Sequence, residues 1–167
     1  MPELVKFCTE DSQEFFVLTD KNRAYLKRWL PWLDTIKEKN DTEKFIRKAI
    51  QSDLEKKSLN FFIKDSGAII GTIGLRDITD QEALVGYWID RDHQGQNIIT
   101  TSLKALIGIV KQQKLTNSIL LRCSPENKGS LAIARKCQFN YEKTLKNAEN
   151  LYGTYNDLEV YKLAIFP

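Results

Sequence analysis

The chain has 167 residues, of which 42% are apolar and 28% charged, with a net charge of +3; these proportions exclude a disordered chain and suit one globular domain spanning 1–167. A chain of this length can bury about 70% of the surface that it exposes when unfolded. The small positive excess is spread along the sequence, which speaks against nucleic acid as a partner, and without a long charge-free stretch or a signal-peptide core at Met1-Pro2-Glu3-Leu4-Val5-Lys6 the expectation is no membrane association and a cytoplasmic location.

In chain order, a short strand is predicted over Glu3–Cys8, then a helix from Asp11 to about Leu30 that Pro31 stops, because proline lacks an N–H and disfavours helix at the residue before it. Tyr25, Leu26, Trp29, Leu30, Trp32 and Leu33 crowd at its end. A second helix is expected over Asp41–Leu54, with Asn40 and Glu43 as a capping box and Phe45, Ile46, Ala49, Ile50 and Leu54 as its apolar stripe. Strands at Leu59–Lys64 and Ala68–Arg76 flank the hairpin-turn sequence Asp65-Ser66-Gly67. Within the second of these, Gly71 and Gly74 suggest a bend or the close approach of another backbone. A third strand runs from about Glu82 to Asp90.

After Asp90 comes a short polar loop with one glycine. An amphipathic helix begins near Asn97, with Ile98, Ile99, Leu103, Leu106, Ile107 and Val110 on its buried face and Lys111 and Lys114 at its carboxyl end. The start of a helix presents several N–H groups without intrahelical acceptors, at the positive end of the dipole, so strand, loop and helix together make a cradle for a pyrophosphate. A strand at Asn117–Arg122, a helix over Asn127–Lys136 capped by Asn127, and two closing strands at about Phe139–Lys146 and Asp157–Ile165 complete the pattern. The order of elements gives an α/β (α+β) domain with a mixed sheet. Cys8, Cys123 and Cys137 are widely separated and His93 is the only histidine, so no zinc or multi-histidine metal site is expected and buried free thiols are the favoured reading.

Neither a GxGxxG nor a GxxxxGK[ST] fingerprint is present. The string Gly86-Tyr87-Trp88-Ile89-Asp90, followed by Gln94-Gly95-Gln96-Asn97-Ile98-Ile99 and then by Asn127-Lys128-Gly129-Ser130, resembles the GNAT acyl-CoA N-acetyltransferases. It is most similar to their RimJ/RimL branch, which acetylates protein N-termini, notably those of ribosomal proteins. The resemblance implies the GNAT fold, a mixed central sheet of six to seven strands flanked by about four to five helices. It also implies an acetyl-CoA cosubstrate with its pyrophosphate against Gln94, Gly95, Gln96, Asn97, Ile98, Ile99 and Thr100. The pantetheine arm would then lie beside Tyr87, Trp88 and Ile89, on a strand that in this family carries a bulge and diverges from its parallel neighbour.

Further roles follow from the same resemblance. An amide freed near Tyr87–Ile89 would stabilise charge on the thioester carbonyl, a service for which single donors are worth ~3 kcal/mol in other enzymes. Asn127 would contact the pantetheine arm, and Ser130, one turn inside the helix, would be the acid that serves the thiolate. Glu149 would be the general base, ahead of Glu82, Asp90 and Asp157. Tyr25, Trp29 and Trp32, in the wall of the acceptor cleft, become candidates for substrate contact, although packing on the sheet would explain them equally well.

Two positions depart from the family pattern: Asn97 stands where the phosphate loop has its first glycine, and Gln138 where relatives have the glycine that ends the last helix. Asparagine tolerates a left-handed backbone better than most residues. Three functions fit these residues. The favoured one is direct acetyl transfer to a protein α-amine in a ternary complex; the others are acetylation of a small amine (an antibiotic, a polyamine or an amino acid) and a CoA-binding module without turnover. Exposed strand edges near the carboxyl terminus permit a homodimer.

Overall fold

The computed structural model describes residues 1–166. Seven strands form one sheet: β1 (Glu3–Lys6), β2 (Leu59–Asp65), β3 (Ala68–Arg76), β4 (Ala83–Ile89), β5 (Ser118–Cys123), β6 (Asn140–Leu151) and β7 (Thr154–Ala164), in the spatial order β1-β2-β3-β4-β5-β7-β6. Every neighbouring pair is antiparallel except β4 and β5. Five helices accompany them: α1 (Ser12–Lys21), α2 (Arg23–Leu26), α3 (Lys39–Leu54), α4 (Ile98–Gln113) and α5 (Lys128–Lys136). No described helix is long and apolar enough to cross a membrane.

Side chains alternate along a strand, and the sheet therefore has two buried faces. On one, Ala83, Val85, Ile119, Leu121 and Cys123 pack against Ile98, Ile99, Leu103, Leu106 and Val110 of α4 and Leu131 and Ala134 of α5. On the other, Phe62 and Trp88 pack against Phe15, Leu18, Leu26, Leu33 and Ile46 from α1 to α3. Aromatic rings dominate this second core: Phe7 stacks on Phe62 at 4.3 Å and Phe15 on Trp88 at 5.8 Å.

Three expectations about the elements are corrected. The long helix over 11–30 breaks at Asn22, which leaves the helical region (φ −99°, ψ 2°) because its buried side chain has better partners than a helix offers. Its Nδ2 donates to the Leu18 carbonyl and to Asp90 Oδ1, both at 2.9 Å, and its Oδ1 accepts the Arg91 N–H. The third helix starts at Lys39, where Asp41 accepts the N–H groups of Lys37 and Glu38, so the cap lies two residues before the expected Asn40–Glu43 pair. The closing strands are longer than predicted and meet at a tight turn, Tyr152-Gly153, with positive φ at both residues.

The bond pattern at the end of α5 is a Schellman motif: Phe139 N–H reaches the Ala134 carbonyl and Gln138 N–H the Arg135 carbonyl. This puts Gln138 at φ +63°, where glycine is easier. Gln138→Gly is expected to stabilise the protein by about 0.5–1 kcal/mol, raising the thermal midpoint by about 1–4 °C. Circular-dichroism melting that gives an unchanged or lower midpoint would contradict it.

Candidate active site

β4 and β5 pair only at Ala83–Ile119 and Leu84–Leu120. Beyond these two pairs the strands separate, since each is fully engaged on its outer side. β5 runs against β7 from Ser118–Ala164 to Cys123–Glu159, and β4 against β3 from Arg76–Leu84 to Gly71–Ile89. Gly71 makes the second ladder close: a Cβ there would fall on the Trp88 carbonyl oxygen. The register of β3 with β4 is continuous, so the bulge expected in β4 is absent and the opening comes from divergence alone.

A cavity of about 690 Å³ fills the gap. Every residue from Leu84 to Ile89 lines it, as do Leu121, Arg122 and Cys123 in succession. Consecutive strand residues face opposite ways, so the cavity passes through the sheet. One mouth opens at α4 and α5, the other at α2 and the β6–β7 hairpin.

On the first side, α4 begins without a side-chain cap and without an acidic residue in its first turn. Its first helical bond runs from Thr101 N–H to the Asn97 carbonyl, 3.0 Å, so the preceding amides have no intrahelical acceptor. By contrast, α5 is capped: Asn127 Oδ1 accepts Ser130 N–H at 3.2 Å. Asn97 takes the left-handed conformation, φ +61°, and its side chain accepts Lys136 Nζ at 2.7 Å instead of capping the helix. Asparagine therefore fills the glycine position and brings a lysine to the mouth, where Lys136 also lines the cavity. Gln94, Gly95, Asn97, Ile98, Ile99 and Thr100 line it. Gln96 does not; it turns outward toward the Asp92 carbonyl, 3.4 Å away. Open amides, a left-handed entry residue and a nearby ammonium fit the diphosphate of a CoA thioester.

Asp90 anchors the loop to α1. Its buried carboxylate accepts from Asn22 (2.9 Å), Lys21 (3.0 Å) and His93 Nδ1 (3.1 Å). Burial pushes this carboxyl up, but the three hydrogen bonds outweigh it and hold it below the ordinary carboxylate range. The stabilisation is present at neutral pH and is lost as the pH falls through that lowered value. Asp90 is thus a strut for the cradle.

The second side has Tyr25, Leu26, Trp29 and Leu30 on one wall and Glu149 and Leu158 on the other. Tyr25 donates its hydroxyl to the Ile89 carbonyl, and burial beside Asp90 pushes its phenol up to about 12. Trp32 is outside the cavity: Pro31 opens a 3-10 turn over Pro31–Thr35 that lays the indole on Phe45, 5.4 Å away and 5° from parallel. Tyr152, at the hairpin tip, donates to the Lys27 carbonyl at 2.8 Å and ties the walls together.

Glu149 was expected between the closing strands and lies within β6, opposite Asn156. The register shifts by two residues between Leu145–Leu158 and Glu149–Asn156. Asp157 pins this bulge by accepting Asn147 N–H (3.0 Å) and Lys146 Nζ (2.9 Å). A bulge bends its strand and re-aims the residues that follow, and here Glu149 turns into the cavity. Burial raises its carboxyl above the ordinary range.

Between the two sides, Tyr87 donates its hydroxyl to Ser130 Oγ at 2.9 Å. Burial holds this phenol far above its usual value, so it stays a donor throughout the working range. Tyr87, Asn127 and Ser130 all line the cavity. The Tyr87–Ser130 bond, Lys136 on Asn97, and Arg76 and Arg122 at the gap were missed in the sequence. Only strand alternation could have signalled one of them, by setting Arg122 opposite to buried Leu121. Among the described residues, no group of three His, Cys, Asp or Glu could hold a metal ion.

A sheet opened between parallel strands beside an uncapped helix is the architecture of an acyltransferase that draws on a CoA thioester. Residues 3–140 match the acetyltransferase (GNAT) domain, and the chain belongs to this family of enzymes. It is 30% identical over 148 residues to the ribosomal-protein-serine acetyltransferase of Escherichia coli (strain K12), covering 87% of this chain and 83% of the relative. Among solved structures it is similar to RimL, the ribosomal L7/L12 alpha-N-protein acetyltransferase, in complex with coenzyme A (TM-score 0.94, 27% identity, 98% of this chain and 93% of that one). It is also similar to the microcin C7 self-immunity acetyltransferase MccE in complex with acetyl-CoA and AMP (TM-score 0.93, 25% identity, 98% and 92% covered).

Proposed function

We propose that this enzyme transfers an acetyl group from acetyl-CoA to a protein N-terminal α-amine by direct attack in a ternary complex. The observation that carries the reading is the cavity through the sheet, which lets donor and acceptor enter from opposite faces and meet between β4 and β5. Open amides at the start of α4 with Lys136 hold the donor's diphosphate, and Asn127 faces its arm. An amide freed on the β5 side of β4 polarises the thioester carbonyl. Glu149 takes the proton from the incoming ammonium, and Ser130 gives one to the departing thiolate. An α-amine, with an ordinary pKa near 8, is far easier to neutralise at pH 7 than a lysine near 10.

The likeness to MccE favours a second reading, a small amine as acceptor, because two such different acetyltransferases share this architecture with the chain. Free-thiol release separates the two when the enzyme meets N-terminal peptides of ribosomal proteins and a panel of polyamines, aminoglycosides and amino acids. Turnover of peptides, with the acetyl group located on the α-amine by mass spectrometry, is expected. Turnover confined to small amines would replace the first reading with the second.

A further inference from the structure

Resting on that reading, we infer that the acceptor carries a carboxylate within its first three residues and that Arg76 and Arg122 recognise it. Leu84 packs with Leu120 and Val160, whereas Leu121 and Cys123 belong to the core under α4 and α5. Alternation puts Arg122 on the same face as Leu120, the acceptor face. Arg76 is the ladder partner of Leu84 and projects to that face as well.

Their places relative to the opening decide the argument. Leu84–Leu120 is the last closed pair of the parallel strands. Arg76 sits beside it and leans over Gly86, where a Cβ would lie 3.6 Å from Nη1. Arg122 stands two residues past Leu120 on the opposite lip. Both arginines line the cavity, and among the described residues Glu149 is the only acidic one that does. Among the described residues, the Arg76 side chain has only a loose, exposed ion pair with Asp77 at 3.8 Å, and the Arg122 side chain has no hydrogen-bond or ion-pair partner.

The donor does not account for this charge. On the proposed reading its diphosphate sits in the cradle at Gln94–Thr100 on the other face, and the pantetheine arm that enters the gap is uncharged. Two forked donors with few competing partners are suited to a carboxylate held bidentately. An acidic side chain just after the reacting amine would reach them while the amine faces Glu149.

Matched peptides that begin with the same residue and carry Glu, Gln or Lys at position two or three test this. The native enzyme is expected to favour the Glu peptide over the Gln peptide by roughly tenfold in kcat/KM, the worth of a charge-assisted hydrogen bond, with the Lys peptide poorest. In Arg76→Gln/Arg122→Gln the Glu:Gln ratio should fall to about two or less, while KM for acetyl-CoA stays near its native value. Arg122→Glu should shift the preference toward the Lys peptide, which a merely structural role for Arg122 would not produce. Equal native turnover of the three peptides, a preference that survives the double substitution, or a rise confined to KM for acetyl-CoA would each overturn the inference. Calorimetric binding of the same peptides to the CoA-loaded enzyme reads the charge preference without turnover. Tight Glu-peptide binding without acetyl transfer would therefore sustain this recognition and refute the proposed activity, and binding blind to charge would overturn the recognition alone.

Discussion

Glu149→Gln is expected to lower kcat by about 10²–10³-fold, within the range that a positioned general base supplies, and to leave the affinity for acetyl-CoA unchanged. The side chain is half-buried on the acceptor side of the opening, aimed there by the β6 bulge. Burial raises its carboxyl, which brings the base closer to the pH at which it works and sharpens proton transfer. The native rate should therefore fall as the pH drops through this raised value, where the carboxylate takes up a proton. In the Gln variant that limb should vanish. A second limb comes from the acceptor amine, and it moves with the amine's own pKa when acceptors are exchanged, so the two are separable.

The same shift fixes the direction of the stability effect. A carboxyl whose folded-state pKa is raised favours folding below its unfolded value, and that contribution disappears as the pH rises through the folded value. At neutral pH the charged carboxylate thus opposes folding slightly, and the Gln variant should melt no lower than the native protein. Steady-state thiol release from about pH 5 to pH 9, beside thermal melts, checks both. A variant that melts normally and keeps its rate at every pH would remove Glu149 from the chemistry.

The parts of the fold that were legible in the sequence are those fixed by local periodicity and caps. The apolar stripe from Ile98 to Val110, the Asn127 cap, the β2–β3 hairpin and the close approach at Gly71 all follow from short-range patterns, and the structure contains them. What was hidden depends on partners far along the chain. Asn22 breaks a helix because Asp90, 68 residues away, offers it a better bond. Trp32 leaves the cleft because Phe45 of α3 offers its ring a stacking face. Glu149 reaches the cavity through a bulge that Asp157 pins. Asn97 was legible as a residue suited to a left-handed entry, but the lysine that its side chain would hold was not.

Ser130→Ala and Tyr87→Phe, separately and together, should reveal a proton path of which the sequence indicated Ser130 and not the tyrosine behind it. Removal of the Ser130 hydroxyl is expected to cost roughly 10–100-fold in kcat. Loss of the Tyr87 hydroxyl should cost less, about 3–10-fold, because Ser130 keeps its own proton and loses only the polarising donor behind it. If Tyr87 acts through Ser130, the double variant should be no slower than Ser130→Ala, a coupling that independent roles would not give. The acid matters only while the thiolate needs a proton, so the deficit of Ser130→Ala should shrink as the pH rises past the ordinary thiol value of about 8.5. Stability should respond in the opposite order. Alanine at 130 leaves the part-buried Tyr87 hydroxyl without its acceptor, at a cost of about 1 kcal/mol, whereas phenylalanine at 87 removes the donor together with its need for a partner. Deficits that multiply in the double variant, or that stay constant with pH, would assign the 2.9 Å bond between these hydroxyls to packing and leave the thiolate to be protonated by water.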